Sequence, residues 1–382
     1  MTQAWIPLSD PDISPAELEA VSAVLTSPRV SGGPVVEEFE AAFAAYVGRR
    51  HAVAVASGTL GLLLCLKAHG IGPGDEVVAS PFAWHQIAHA IALAGARAVF
   101  ADIDYWSGTL DPAKAEAKFS TGTRALLAGN TNGHPAAWAA LRALADRHGL
   151  LLLEDSTEAI GSTYQDKLVG SFGDCAIFDF SQPGAITCGE GGMVVTDDLE
   201  VARVLRYHRQ RKLDERHSVV VSGILPHQAG ISDLSAALGL AQLRRIDAIL
   251  QRRKQVENYY YSHIKSFEGI KDPYLAPEVT QVYWFLYTVH LGTRFSRSSR
   301  DAIVNDLHTE HVEAAAYCQP LHLQRFYQEQ GYRKGNYFVT EKVADRALAL
   351  PLHGHLTQDQ VGFIVQTAKD ASINVGAGSA IY

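Results

Sequence analysis

Three acidic side chains and two histidines stand where apolar runs of the sequence give way to loops, and groups of these types can move protons. The run Leu151-Leu152-Leu153 ends on Glu154 and Asp155, with Glu158 three residues further on. A carboxylate at the end of a buried strand can hold a ring N–H⁺ and keep it protonated, or it can simply cap the next helix. Asp179 closes a second run, and His85 and His134 lie in loops that follow others. Converging on one cleft, these groups can act as acids and bases or bind a divalent metal. Scattered, they are ordinary surface groups. Ser57-Gly58-Thr59 sits between a strand-like and a helix-like stretch, where free N–H groups form either an anion site or a plain cap. Trp84 can stack on a flat ligand or pack in the core. Gly189-Glu190-Gly191-Gly192 marks backbone that needs positive φ or a close approach.

The elements that must position these residues alternate along the chain. His51–Ala56, Glu76–Ala79, Ala96–Ala101, Ala125–Ala128 and Leu150–Leu153 read as buried strands. Helical patterns over Leu60–His69, His85–Ala94 and Ala136–His148 fill the gaps. Such alternation predicts an α/β fold with a mostly parallel sheet, with ligands at the carboxyl ends of its strands. Asp174–Phe180 and Gly192–Thr196 are expected to pair as a hairpin around the glycine turn. Ser232–Leu243 is expected to start a helix that continues to about residue 264. A strand over Val282–Leu291 and several helices predict a small α+β domain, giving a large domain over 1–250 and a small one over 251–382. The glycine-rich tail from Ser372 is expected to be loosely held.

Bulk properties narrow the function classes. A net charge of −8 without a long basic block argues against nucleic-acid binding; the densest cationic run, His208–Lys212, is short and reads as a solvated helix end. Cys65, Cys175, Cys188 and Cys318 are too far apart in sequence for a zinc motif, and no metal is expected. Cys65 and Cys175 read as packing residues and all four as reduced thiols. No signal segment opens the chain and no apolar run spans a bilayer, so a cytoplasmic protein that avoids membranes is expected.

In order along the chain come Val30-Ser31-Gly32-Gly33-Pro34, Ala56-Ser57-Gly58-Thr59, Gly70-Ile71-Gly72-Pro73-Gly74-Asp75-Glu76-Val77 and Asp102-Ile103-Asp104. Gly133-His134-Pro135, Glu154-Asp155, Thr187-Cys188-Gly189-Glu190-Gly191-Gly192, Ala236-Ala237-Leu238-Gly239-Leu240-Ala241-Gln242-Leu243 and Ala349-Leu350-Pro351 follow. This series resembles the DegT/StrS family of sugar aminotransferases over nearly the whole chain. The resemblance implies the aspartate-aminotransferase type of PLP-transferase fold and a homodimer with both sites at the subunit interface. It implies a small-molecule substrate, a keto-sugar or cyclitol. It also implies a cofactor pocket of Ser57, Gly58, Thr59, Trp84, Asp155, Gly184 and Gln228.

The pocket departs from the family at four of its positions. The lysine that would bind PLP covalently aligns with Gly184, which has no amine to offer. A phosphate-contacting serine aligns with Asp179, a glutamine with Glu158, and an asparagine lent by a partner subunit with Gln228. A carboxylate at 179 would repel a phosphate dianion. The expectation is therefore no covalently bound cofactor, with PLP or PMP disfavoured, and a non-standard enzyme using Asp155, Glu158, Asp179, His85 and His134. A PLP or PMP enzyme that binds its cofactor non-covalently and a catalytically dead partner of an active paralogue are the competing readings.

Overall fold

The computed structural model describes residues 5–209, 226–264, 270–271 and 273–378. Two helices come first, α1 (Pro15–Leu25), opened by a Ser14/Glu17 capping box, and α2 (Pro34–Val47). The alternating stretch follows as β1 (His51–Val55), α3 (Gly58–Ala68), β2 (Glu76–Ala79), α4 (Gln86–Leu93), β3 (Arg97–Phe100), α5 (Pro112–Glu116), β4 (Thr123–Gly129), α6 (Trp138–His148) and β5 (Leu151–Asp155). Two short strands, β6 (Thr163–Tyr164) and β7 (Lys167–Leu168), precede β8 (Cys175–Asp179) and β9 (Gly192–Thr196).

Seven of these strands form one sheet in the order β1-β9-β8-β5-β4-β2-β3. Only β9 runs against the others, pairing antiparallel with both β1 and β8. The mostly parallel sheet and the hairpin around the glycine turn are thus as the sequence predicts. Both faces are covered, which is why the strands read as continuous apolar runs. Val53, Val55, Val77 and Ile177 pack under α3 and α4, while Ala52, Ala54, Ala176 and Val195 pack on the α2 side with Phe39 and Phe43.

Further along come α7 (Leu199–Arg209), α8 (Asp233–Arg244) and α9 (Ile246–Ile264). The single helix expected from Ser232 to 264 is instead two, broken at Arg245. The guanidinium of Arg245 is tied to Asp12 (2.6 Å) and Glu17 (2.7 Å), a long-range anchor that local periodicity does not reveal. Helix α9 passes between two cores: Ile246, Ile249 and Leu250 join the sheet's core, and Val256, Tyr260 and Ile264 join a second.

The second core lies among β10 (Ile270–Lys271), β12 (Tyr287–Leu291), α10 (Arg297–Thr309), β13 (Ala315–Ala316), β14 (Ala347–Leu350) and α13 (Gln358–Gly378). Here the strands form an antiparallel sheet in the order β10-β12-β14-β13. The short β11 (Val279–Gln281) pairs with β6, and α11 (Arg325–Gln328) and α12 (Phe338–Ala344) precede β14. The predicted strand over Val282–Leu291 is shortened to β12, because Phe285 and Leu286 donate their N–H groups to the backbone and side-chain oxygens of Asn132. The tail is not loose as far as Gly378: α13 carries Ala368, Ala371 and Ser372 into buried positions.

Candidate active site

Parallel pairing brings the carboxyl ends of β4, β5 and β8 together, with Gly129 opposite Asp155 and Asp155 opposite Ile177. The loops after β2, β4 and β5 therefore open on one cleft, lined by Ala83, Trp84, Ile87, Gly129, Asn130, Thr131, Asp155 and Glu158. Asp155 is buried there and accepts a hydrogen bond from the Thr157 N–H at 3.0 Å. Burial pushes its carboxyl up to about 6, against the lowering effect of the Thr157 bonds, and Asp179 and Glu154 push it the same way as burial. Glu154 has a different task. It accepts N–H bonds from Gly170, Phe172 and Gly173 and bonds from Asn130 and Ser156, so it holds a loop and not a ligand.

Glu158 also lies buried on the cleft. One of its oxygens accepts both the Asn132 N–H and the Tyr317 hydroxyl, each at 2.5 Å. Desolvation raises its carboxyl to about 7, the two hydrogen bonds opposing the rise and Asp155 adding to it. Tyr317 was not among the residues picked from the sequence, and no motif marks it. It lies 159 positions from Glu158 and meets it only because the β13 segment folds onto the large sheet.

Asp179 ends β8 and turns onto the helix that follows β1. One of its oxygens accepts the Gly58 N–H at 2.6 Å, and the other accepts the Ser181 N–H at 2.9 Å and the Ser181 hydroxyl. Ser57 caps α3 through its hydroxyl, which accepts from the Leu60 N–H. Of the glycine turn, Gly189 has φ of +77°, and Gly192 passes so close to α3 that a Cβ would lie 2.7 Å from the Ser57 carbonyl carbon. Both glycines are thus required, one by conformation and one by approach.

Gly184 is required by neither. Its φ lies outside the left-handed range, and a Cβ there would meet the Ile186 carbonyl oxygen at 3.2 Å, a contact relieved by a few tenths of an ångström. The backbone at 184 has room for a side chain. Among the described residues no lysine lines the cleft; Lys167 belongs to β7, and Lys212 lies outside the described residues. The Lys212 end of the cationic run is likewise outside them.

The two histidines part company. His85 sits at the start of α4 beside Trp84 (ring centroids 5.1 Å apart), where partial desolvation and His89 lower its pKa while Asp179 raises it. His134 is buried and its ring is committed to backbone: Nε2 accepts from the Ala276 N–H at 3.1 Å, which leaves Nδ1 to donate to Pro135 at 2.8 Å. It pins the 273–276 segment and leaves no nitrogen for the cleft. Gln228 is exposed, with φ of +51°, and Thr59 is half-buried on the first turn of α3. Among the described residues no three His, Cys, Asp or Glu side chains are grouped to hold a metal ion. No described helix is long and apolar enough to cross a membrane.

Residues 11–369 match the DegT/DnrJ/EryC1/StrS aminotransferase family. The chain is 35% identical to the spore coat polysaccharide biosynthesis protein SpsC of Bacillus subtilis (strain 168), covering 96% of this chain and 97% of that one. It is 34% identical to the GDP-perosamine synthase of Caulobacter vibrioides, covering 88% of this chain and 89% of that one. Among solved structures it is similar to Spr1654 from Streptococcus pneumoniae in its PLP form, at 25% identity and a TM-score of 0.90, over 97% of this chain and 99% of that one. Spr1654 is also known in a PMP form.

These matches correct one expectation. PLP and PMP are not disfavoured as cofactors, because a family of aminotransferases and a structural relative solved in PLP and PMP forms both point to them. Repulsion between Asp179 and a phosphate is a local cost and does not decide the cofactor. A buried carboxylate and an indole on one cleft fit the ring of such a group, whereas Asp179 already holds the Gly58 N–H where the resemblance would put its phosphate. The descent of the scaffold is plain: this chain belongs to the DegT/DnrJ/EryC1/StrS aminotransferase family.

Proposed function

We propose that the chain is a vitamin B6-dependent enzyme of sugar metabolism that holds PLP or PMP without a covalent bond. The single observation carrying this reading is the cleft that keeps Asp155 and Trp84 and is lined by no lysine among the described residues. When bound, the cofactor supplies an electron sink and, as PMP, the amino group to be transferred. Asp155 would hold the ring N–H⁺. Burial raises its carboxyl to about 6, and a cation beside it would favour the ionised form and reverse that rise. Trp84 would cover the ring face.

The proton traffic that a lysine conducts elsewhere falls here to Glu158, whose value of about 7 suits it to give and take protons near neutrality. His85, exposed beside Trp84, is the second carrier. The reaction is thus not ordinary lysine-based transamination. The substrate we infer is a nucleotide-linked keto-sugar, in keeping with SpsC and with a relative named for GDP-perosamine. We further infer a homodimer with sites at the subunit interface, and a division into 1–250 and 251–382 that falls within α9, where the two cores meet.

Titrating the purified chain with PMP, followed through quenching of tryptophan fluorescence, tests this. Saturable binding is expected, weakened at least tenfold by Asp155→Asn. Absence of saturable binding, or equal affinity in Asp155→Asn, would contradict the reading.

A further inference from the structure

We propose that Asp179 is a built-in anion seated on the first turn of α3, which the cofactor's phosphate must displace in order to bind. The inference rests on the B6 reading above and adds a control over the same site. Asp179 makes the interactions a phosphate oxygen would make: it takes the Gly58 N–H at 2.6 Å and, through its other oxygen, the N–H and hydroxyl of Ser181. The backbone N–H of Asp179 donates to the Thr157 hydroxyl at 3.2 Å, which anchors the main chain at this end of β8 while the side chain stays free to turn. The Ser57 oxygen accepts from the Leu60 N–H and so caps α3, which leaves its hydroxyl hydrogen to donate. The α3 terminus cannot retreat, because Gly192 lies against Ser57 and Gly58.

An arriving dianion and this carboxylate compete for one N–H group and repel one another in a partly buried place. The titratable groups that face Asp179 are His85 from α4, Asp155 from β5 and Cys188 from the loop before β9. Capture of the cofactor therefore requires the Asp179 side chain to rotate away from Gly58. The α3 terminus is thus capped from within, and affinity for the phosphorylated vitamer is held below what an open terminus would give.

The test compares the parent with Asp179→Ser and with Asp179→Asn, which keeps size and shape and removes the charge. Calorimetric titration uses three probes: PMP, pyridoxamine without the phosphate, and inorganic phosphate. Both variants are expected to bind PMP at least tenfold more tightly than the parent, while their affinity for pyridoxamine stays within about twofold. Inorganic phosphate is expected to bind the variants and to be rejected by the parent. Thermal unfolding of the empty variants, expected at lower temperature than the parent because a cap is lost, establishes that they are folded.

PMP affinity unchanged or reduced in both variants would overturn the proposal, as would an equal gain for pyridoxamine. If no chain binds PMP but inorganic phosphate still prefers the variants, the B6 reading falls and the built-in anion stands. If PMP binds the parent and variants alike, the built-in anion falls and the B6 reading stands.

Discussion

Glu158 illustrates how much one substitution can be asked to do. Its carboxyl, raised to about 7, and that of Asp155, raised to about 6, hold protons in the folded chain that the unfolded chain has already released. The contribution of each to stability is therefore fully present below about pH 4 and lost as pH rises through these folded values. Buried histidines with lowered values, such as His134, act in the opposite direction, so the parent's own profile mixes both. The difference between Glu158→Gln and parent isolates one group. Across pH 4.5 to 8 by denaturant titration, the parent is expected to lose about 2–3 kcal/mol relative to the variant. The same substitution is expected to lower kcat/KM on a keto-sugar about a hundredfold. A parent-to-variant gap independent of pH would remove Glu158 from this role. Asp155 and Trp84 could be placed at strand ends from the apolar runs that precede them, whereas Gly184 and Asp179 were singled out only through the family resemblance. The hydrogen bonds were not legible. That Asp179 caps α3, or that His134 spends both nitrogens on backbone, depends on contacts 121 and 142 positions apart in sequence.

At the level of elements, the strands of the large sheet announced themselves because burial on both faces makes each a continuous apolar run. The breaks did not, since the split at Arg245 is set by Asp12 and Glu17 and the shortening of β12 by Asn132. The packing of β9 on α3 yields a direct prediction. In Gly192→Ala, the new Cβ meets backbone atoms of Ser57, Gly58 and Phe178 at 2.7–2.9 Å, none of which can rotate aside. A loss of about 1–3 kcal/mol is expected, with weaker PMP binding because the first turn of α3 is displaced. An unchanged unfolding midpoint would show that β9 has room to shift. Restoring a lysine is a test of the same loop. Gly184→Lys is expected to fold, because its Cβ contact is mild, and to gain a covalent visible band with PLP more strongly when combined with Asp179→Ser than alone.

Across the whole molecule, the site is completed only when the two cores are brought together. Tyr317 belongs to the C-terminal part of the chain, yet its hydroxyl donates to Glu158 on the large sheet. In Tyr317→Phe a buried carboxyl loses one of two donors, which is expected to cost about 1–3 kcal/mol. Because that bond lowers the Glu158 value, its removal should also move the neutral-pH midpoint of activity upward. A midpoint that stays in place would detach Tyr317 from the chemistry. The assignment as a whole stands on cofactor capture without a lysine. The most direct measurement incubates the chain with PLP, reduces it with borohydride and maps the peptides by mass spectrometry. Stoichiometric, saturable PLP binding before reduction, with no lysine carrying the reduced cofactor in matching yield afterwards, is the predicted result. One lysine labelled in proportion to the bound PLP would contradict it.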